Sequence, residues 1–416
     1  MKHALAPVAA LLIGVSILLT GQGLQGTLLP VRAALEEFST VSIGAMGAAY
    51  FFGFTLGCLR GGELVRRVGH VRVFLAMTAL GSAAPLVHGL FLSPVGWALL
   101  RMTSGFCFAV LYVVIESWLN EASTNDNRGA IFSVYAMISL TVLAAGQMMT
   151  LLYDPFGLQL FAIASVLVSL GALPVALSTA PPPAIPQSVQ LDLRRLFRIS
   201  PAATIGCFAT GLANGAFWSL APVFAVSIGG DPSLPAWFMT ASVIGGAVLQ
   251  WPLGFLSDKI GRRKIIIAAA AIGVGVAVVF VGSFDRLTFV TACIAGLMWG
   301  SVAFPLYAIA VAHANDFAET DDYVMISSGL LLMYGVGAIA GPFIASTIMT
   351  WSNAAGLYAF TGIVHLSLVA FVAYRMLRRE SAPDETHMAF GDALATAHTA
   401  SQVYEEEIHH QADEEK

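Results

Sequence analysis

The sequence predicts an all-α polytopic membrane protein in which twelve transmembrane helices form two pseudo-symmetric six-helix bundles. Three observations favour this fold class: the composition, the number of apolar segments and an internal repeat. Hydrophobic residues make up 57% of the 416-residue chain and charged residues only 11%, whereas a soluble domain carries about 25% charged residues. Such a composition is typical of a chain that is buried in lipid over most of its length, and it excludes one large soluble core.

Twelve apolar segments are long enough to cross a membrane. About 20 helical residues, at about 1.5 Å each, cross roughly 30 Å of hydrocarbon, and helices are expected because backbone polar groups in lipid must pair internally. Eleven further segments follow the first, so it is predicted to be a span and not a signal peptide. The predicted spans are 6–29, 41–62, 73–92, 96–119, 130–152, 156–178, 201–226, 235–256, 265–283, 287–312, 324–350 and 355–377.

The distribution of lysine and arginine predicts the orientation in the membrane. With both termini in the cytoplasm, 16 of these residues lie on the cytoplasmic side and 2 on the outer side. We therefore expect a multi-pass protein of the inner (plasma) membrane with both termini cytoplasmic.

Composition also divides the chain into two bundles and two cytoplasmic segments. Residues 179–200 begin with prolines, which are typical of a stiff linker, and end in a short basic helix expected on the inner membrane surface. Ten of the 25 acidic residues lie at or beyond Glu380, so residues 379–416 are predicted to be a largely disordered acidic tail. The six-helix bundles are then residues 1–178 and 201–378.

The loops after spans 2 and 8 repeat each other. The first reads GELVRRVGHVR over residues 62–72, and the second reads GFLSDKIGRRK over residues 254–264. A shift of 192 residues aligns these loops, and a shift of 195 aligns spans 4 and 5 with spans 10 and 11. Scattered glycines in apolar helices can align by chance, whereas charged loops at corresponding positions of the two halves rarely do. The alignment therefore indicates an internal repeat. Aligned pairs include Gly62 and Gly254, Arg67 and Lys259, Gly69 and Gly261, Gly105 and Gly300, Tyr112 and Tyr307, and Glu121 and Asp316.

The six-plus-six arrangement, the central linker and the loop between spans 8 and 9 resemble the major facilitator superfamily over residues 6–378. The stretches RVGHVRVF at 67–74, LYVVIESWLNE at 111–121 and QWPLG…SD at 250–258 resemble its YcaD-like branch. The resemblance implies alternating access, in which two six-helix bundles rock about a central site near the midplane of the membrane.

Two ionisable residues in span 4 are candidates for substrate recognition or proton coupling. Arg101 stands in RMTSG, which resembles the superfamily's R-x-x-x-G motif, and a guanidinium in hydrocarbon costs ~3 kcal/mol or more. It is expected to face an interior cavity, either contacting a polar or anionic substrate group or acting as a hydrogen-bonded strut. Glu116 is the most deeply embedded carboxylate and is either a proton site or half of an ion pair with Arg60 or Arg128.

Uncharged amides and aromatic residues recur at membrane depth, as expected of a cavity that holds a partly apolar solute. Interhelical packing explains any one of them equally well, whereas the group as a whole favours a cavity. The predicted lining residues are Gln22, Gln25, Tyr112, Gln147, Asn214, Trp218, Gln250, Trp299 and Tyr307.

The two repeated loops are predicted to form a cytoplasmic gate. The resemblance implies that Asp258 lies near the N-terminus of span 5, where a carboxylate contributes ~0.3–1 kcal/mol, but Arg66 holds the equivalent position in the first half. We therefore hypothesise that Arg66, Arg67 and Arg72 pair with the acidic residues before span 11 when the cytoplasmic side is closed. The predicted gate residues are Gly62, Arg66, Arg67, Gly69, Arg72, Glu121, Arg128, Gly254, Asp258, Gly261, Arg262 and Asp316.

These features predict a secondary active transporter of a small organic solute, with proton coupling left open. A transporter-like sensor that binds its solute without moving it is the alternative. The sequence has no Walker A, HExxH or GxSxG motif, so we expect no enzymatic activity, catalytic residue, metal site or cofactor. The expected partners are the lipid bilayer, a small-molecule substrate and, where transport is coupled, protons. We expect a monomer that binds no nucleic acid.

Overall fold

The computed structural model describes residues 9–124, 128–177, 192–318, 322–378 and 390–391. Twelve helical segments in this part of the chain are long and apolar enough to cross a membrane, which confirms the predicted fold class. The proline-rich part of the linker and most of the acidic tail lie outside the described residues.

The helices follow the predicted spans but continue beyond several of the predicted limits. Span 1 ends six residues later than predicted and so does span 2, which includes Arg66 and Arg67, because hydropathy marks only the apolar part of a helix. Spans 6 and 10 each consist of two helices. In chain order, spans 1 to 12 are Ala9–Leu35, Thr40–Val68, His70–Leu90, Pro94–Glu121, Arg128–Met148, Gln159–Leu170 with Leu173–Ala176, Pro201–Ile228, Leu234–Ile260, Arg262–Gly282, Phe289–Ala303 with Pro305–Asn315, Tyr323–Trp351 and Gly356–Arg378.

Backbone geometry repeats between the two halves at the loops. Gly69, between spans 2 and 3, has a φ of 92°, and Gly261, between spans 8 and 9, has a φ of 99°. Glycine adopts positive φ at no steric cost. The N–H of Gly69 donates to the carbonyl oxygen of Val65 at 2.8 Å, and that of Gly261 donates to Ser257 at 3.1 Å. Both loops therefore make the same one-residue turn, as the 192-residue shift predicts.

A short linker helix, Leu193–Ile199, lies beside the start of span 11. Asp192 caps this helix, and hydrogen bonds from the backbone N–H groups of Arg195 and Arg194 lower the pKa of the Asp192 carboxyl. The side chain of Arg195 reaches Asp322 at 2.9 Å. We call the end of the bundle with this helix and the two glycine turns the basic face, and the other end the opposite face.

Helix packing also repeats between the halves. A Cβ atom at Gly105 would lie 2.0 Å from the carbonyl oxygen of Tyr50, and one at Gly300 would lie 2.0 Å from the carbonyl oxygen of Ser242. Gly105 and Gly300 are repeat partners, and so are Tyr50 and Ser242. Span 4 therefore packs on span 2 as span 10 packs on span 8, at a backbone distance that a larger residue does not permit.

Substitution at this contact tests the packing. Gly105→Ala is expected to lower the free energy of unfolding by ~1–3 kcal/mol, because its Cβ overlaps a backbone oxygen that cannot rotate away. Gly275→Ala is the matched control, since no atom lies within 4 Å of a Cβ there, and it is expected to be neutral or stabilising. Thermal unfolding of both purified variants measures the difference, and equal midpoints would contradict the close approach of spans 2 and 4.

Candidate functional site

A cavity of about 330 Å³ lies between the two halves. Spans 1, 2, 4 and 5 line it from the first half, and spans 7 and 11 line it from the second. Its volume is within the range of small-molecule sites, roughly 300–1,000 Å³. The lining residues are Gln22, Gly23, Gln25, Gly26, Tyr50, Phe51, Phe54, Arg101, Phe108, Tyr112, Glu116, Leu143, Gln147, Trp218, Ser219 and Tyr334.

Span 4 forms one wall of the cavity. Its lining residues Arg101, Phe108, Tyr112 and Glu116 recur at seven- and four-residue intervals, which places them on one face of the helix. At about 1.5 Å per residue, Arg101 and Glu116 are ~22 Å apart along the helix axis. Arg101 is the nearer to the opposite face and Glu116 the nearer to the basic face, so a cation and a carboxylate stand at two depths of one cavity.

The guanidinium of Arg101 rests on an aromatic ring. Its central carbon lies 4.2 Å from the centre of the Tyr50 ring, in a cation–π contact. Within the described part of the chain, Arg101 makes no hydrogen bond or ion pair. Its donors are therefore available to a group that enters the cavity.

A polar network links the cavity wall across three helices. Gln22 Nε2 of span 1 donates to the Tyr50 hydroxyl at 2.8 Å, and the Tyr112 hydroxyl of span 4 donates to Gln22 Oε1 at 2.9 Å. Gln25 Nε2 donates to the carbonyl oxygen of Gly21 at 3.3 Å. The buried Gln25 Oε1 has no hydrogen-bond partner among the residues that the structure describes, so it can accept from a solute donor.

Glu116 is buried, with 3% of its surface exposed. The hydroxyl of Tyr135 in span 5 lies 3.5 Å from Glu116 Oε1. Arg60, one candidate ion-pair partner, has an exposed side chain, and the side chain of the other candidate, Arg128, lies outside the described residues. A carboxyl that lines a cavity beside a tyrosine hydroxyl can exchange a proton with the cavity.

Seven of the eleven residues predicted to contact or line the cavity are on its wall. The other four occupy positions behind it or elsewhere on spans 7, 8 and 10. Trp299 is fully buried and stacks on Phe217, with ring centres 4.1 Å apart, and Tyr307 packs against Tyr334 with ring centres 5.1 Å apart. The predicted lining residues that do not line this cavity are Asn214, Gln250, Trp299 and Tyr307.

Sequence reasoning also missed lining residues, of which Tyr50 is the most important. A phenol hydroxyl in an otherwise apolar stretch of span 2 was the signal available for it. Phe51, Phe54 and Leu143 gave no such signal, because apolar residues at membrane depth face lipid, protein and cavity alike.

The two halves contact each other between the cavity and the opposite face. The hydroxyl of Thr240 in span 8 donates to Gln147 Oε1 of span 5 at 3.3 Å. A Cβ atom at Gly47 of span 2 would lie 2.0 Å from Ser219 Oγ of span 7. The helices are thus packed together on that side of the cavity.

On the basic face, Arg262 is the centre of a charge network within the second half. Its Nε donates to Asp316 Oδ2 at 2.8 Å, and its Nη1 donates to Asp258 Oδ1 at 2.6 Å and to Ser257 Oγ at 3.0 Å. The side chains of Arg262 and Asp316 are 3% and 2% exposed. The network therefore fixes the turn between spans 8 and 9 to the end of span 10.

The equivalent positions in the first half are arranged differently. His70, the repeat partner of Arg262, is buried beside Trp118, with ring centres 5.9 Å apart. Glu121, the repeat partner of Asp316, is exposed, and Arg67 pairs with Glu63 on its own helix. The two loops share a backbone turn but not a charge network.

The hypothesised pairing of first-half arginines with acids before span 11 is not made by the two described acids, Asp316 and Asp322; Glu319 and Asp321 lie outside the described residues. Arg66 and Arg72 are exposed, while Asp316 is bonded to Arg262 and Asp322 to the linker helix. The hypothesis concerns the state in which the basic face is closed, and it stays a prediction.

The family profile of the Major Facilitator Superfamily matches residues 11–205 and again residues 203–401. The chain belongs to the major facilitator superfamily. It is therefore a multi-pass membrane transporter and not an enzyme.

Similar curated proteins belong to the predicted branch of the superfamily. The chain is 27% identical over 383 residues to the "Uncharacterized MFS-type transporter YcaD" of Escherichia fergusonii, covering 90% of this chain and 96% of that one. Its identity to the protein of the same name from Escherichia coli is also 27%, over 377 residues and with the same coverage of both chains.

Solved transporters share the fold at low sequence identity. The nucleoside transporter NupG superposes with a TM-score of 0.76 at 14% identity, over 90% of this chain and 100% of that one. A bacterial homologue of the human lysosomal transporter Spinster superposes with a TM-score of 0.65 at 13% identity, over 94% of this chain and 98% of that one. The Escherichia coli fucose:proton symporter FucP superposes with a TM-score of 0.57 at 15% identity, over 89% of this chain and 99% of that one.

Proposed function

We propose that this transporter binds a small organic solute in the cavity between its halves and moves it by alternating access. The observation that carries the proposal is Arg101, a half-buried cation whose donors have no acidic partner in the described residues and which faces a polar and aromatic cavity wall. An uncompensated guanidinium is costly at membrane depth. A solute with an anionic or strongly polar group would offset that cost through charge-assisted hydrogen bonds.

The cavity wall supports a solute with both polar and apolar parts. Arg101, the Gln22–Tyr50 pair and the free Gln25 oxygen would hold the polar part. Phe108 and Trp218 offer apolar surface to the rest. This mixture is typical of sites in which a few polar groups orient a partly apolar ligand.

The contacts between halves support a state in which the cavity faces the basic side. Thr240 with Gln147 and Gly47 with Ser219 hold the halves together near the opposite face. With the predicted orientation, this is an inward-facing state. Residues 1–178 and 201–378 would then rock as two bodies about the cavity to reach the outward-facing state.

Flux measurements in proteoliposomes test the function directly. Purified protein is screened against a library of labelled organic solutes, with and without a pH gradient. Uptake of a solute above protein-free vesicles supports transport, and dependence on the gradient supports proton coupling. Saturable binding without uptake would overturn transport in favour of a sensor.

Glu116 is the proposed proton site. Glu116→Gln keeps the shape of the side chain but cannot ionise, so it is expected to abolish the pH-gradient dependence of uptake while solute exchange at equal pH continues. Asp285→Asn is the control, because this carboxylate is exposed at the opposite face. Initial rates across a series of imposed gradients measure the effect. Retained gradient dependence in Glu116→Gln would exclude Glu116 as the coupling group.

A further inference from the structure

One residue of the acidic tail is packed into the second half of the protein. Phe390 is 2% exposed and belongs to the large apolar cluster that contains most of the buried residues of that half. Its ring fills the space beside Gly254 of span 8: a Cβ atom at Gly254 would lie 2.1 Å from Phe390 Cδ1. Phe390 is one of two aromatic residues in residues 379–416, with Tyr404, so an apolar side chain from a polar segment meets a matching glycine.

The same segment completes the hydrogen bonds of Asp258. The backbone N–H of Phe390 donates to Asp258 Oδ2 at 3.1 Å, while Asp258 Oδ1 accepts from Arg262 at 2.6 Å. Both carboxylate oxygens are thus engaged within the second half and its tail. The segment is therefore attached to span 8 at two points: the ring of Phe390 packs on Gly254, and its backbone N–H bonds Asp258, four residues further along the helix.

We propose that the groove beside Gly254 and Asp258 is a docking site for the Phe390 segment of this chain's own tail, and that docking stabilises the state in which the basic face is open. The reach is sufficient, because the twelve residues from Arg378 to Phe390 can span up to ~40 Å. The ring needs the space that glycine leaves at position 254, and the backbone N–H needs the carboxylate one helical turn further along span 8.

The link to the gate follows from competition for Asp258. When the basic face closes, Asp258 would turn toward the start of span 5 in the other half, the position that the resemblance to the superfamily implies for it. A carboxylate whose two oxygens are held by Arg262 and Phe390 cannot make that contact without releasing the tail. A segment that binds one state and not the other shifts the population toward the state it binds. This coupling rests on the proposed alternating access, whereas the docking does not.

Docking is tested by fluorine NMR on the full-length protein in nanodiscs. 3-Fluorophenylalanine is placed at position 390 alone, and a soluble paramagnetic agent reports its exposure. The resonance is expected to be shielded in the parent protein and exposed in Gly254→Ala, whose Cβ occupies the space of the ring. Gly391→Ala is the control, because no atom lies within 4 Å of a Cβ there. A resonance that is exposed in the parent protein, or that Gly254→Ala leaves unchanged, would overturn the docking site.

Coupling to the gate is tested by the accessibility of the cavity. Gly26 lines the cavity and leaves room for a side chain, so Gly26→Cys, in a background without the four native cysteines, is labelled with a charged maleimide from the basic face. Phe390→Ala is expected to slow labelling roughly tenfold, a typical coupling between two sites, and Gly391→Ala to leave it unchanged.

The labelling outcomes distinguish a failure of the coupling between tail and gate from a failure of the proposed function. Equal labelling rates in Phe390→Ala and the parent, with the ring shown to be docked, would make the tail a passive contact and overturn the coupling. Failure to label Gly26→Cys from either face would contradict the accessible cavity of the proposed function, and with it the coupling. The fluorine result would stand in that case.

Discussion

Replacing Arg101 by glutamine is expected to weaken binding of the transported solute by roughly 10- to 150-fold, and to do so most for anionic solutes. The physical reason is the loss of charge-assisted hydrogen bonds, each worth ~1.5–3 kcal/mol where a charged group is involved. The effect is large because Arg101 is the one cation among the residues that line the cavity, and the carboxylate there, Glu116, lies far from it along span 4. Solute concentration dependence of proteoliposome uptake measures it, as a rise in apparent KM.

Two further variants separate recognition from a structural strut. Arg101→Lys keeps the charge but loses the planar, forked donor set and the flat contact with Tyr50, so it is expected to give an intermediate loss. Arg60→Gln removes the same charge from an exposed position in span 2 and is expected to leave uptake unchanged. A lower unfolding midpoint in Arg101→Gln with an unaltered KM would show instead that the guanidinium only ties span 4 to Tyr50.

The repeat made much of the fold predictable from the sequence. Aligning Gly69 with Gly261 and Gly105 with Gly300 identified a tight turn and a close helix contact that the two halves share. Glycine at such positions reports backbone geometry, because the backbone there adopts positive φ or touches another backbone. The similar φ angles at Gly69 and Gly261 and the equal approach distances at Gly105 and Gly300 follow from this.

The cavity was less predictable, for a reason specific to membrane helices. In a soluble helix the polar face marks solvent, but here lipid and protein both favour apolar surface, so periodicity does not distinguish the faces. Trp299 and Tyr307 were therefore placed on the cavity wall although they pack behind it, and Tyr50 was overlooked. Arg101 and Glu116 both line the cavity, where a charge at membrane depth avoids lipid.

The charge network on the basic face depends on contacts that no local pattern shows. The spacing of Asp258 and Arg262 suggests a pair on one side of a turn, but Asp316 lies 54 residues after Arg262. The docking of Phe390 is more distant still, at 132 residues from Asp258. An isolated aromatic residue in an acidic segment, far from the other aromatic residue there, has no periodicity from which a binding partner can be inferred.

Arg262→Ala is expected to destabilise the protein by ~3 kcal/mol, because removing one partner of a buried pair leaves the other with an uncompensated charge. The guanidinium donates to Asp316 twice, at 2.8 and 3.4 Å, and also to Asp258 and Ser257. The double variant Arg262→Met, Asp316→Leu is expected to recover most of the loss, since two well-packed apolar residues can replace a buried ion pair. Denaturant unfolding in detergent measures all three proteins.

The internal repeat supplies the decisive comparison for this network. Glu121→Ala alters the repeat partner of Asp316 at an exposed site, and Lys264→Ala removes an exposed cation two residues from Arg262; each is expected to change stability by less than ~0.5 kcal/mol. A loss in Glu121→Ala as large as that in Arg262→Ala would mean that the first half holds an equivalent network. If only Arg262→Ala lowers the stability, the second half of the basic face is a rigid charged unit and the first half is held by packing. The two repeated loops would then contribute unequally to the gate.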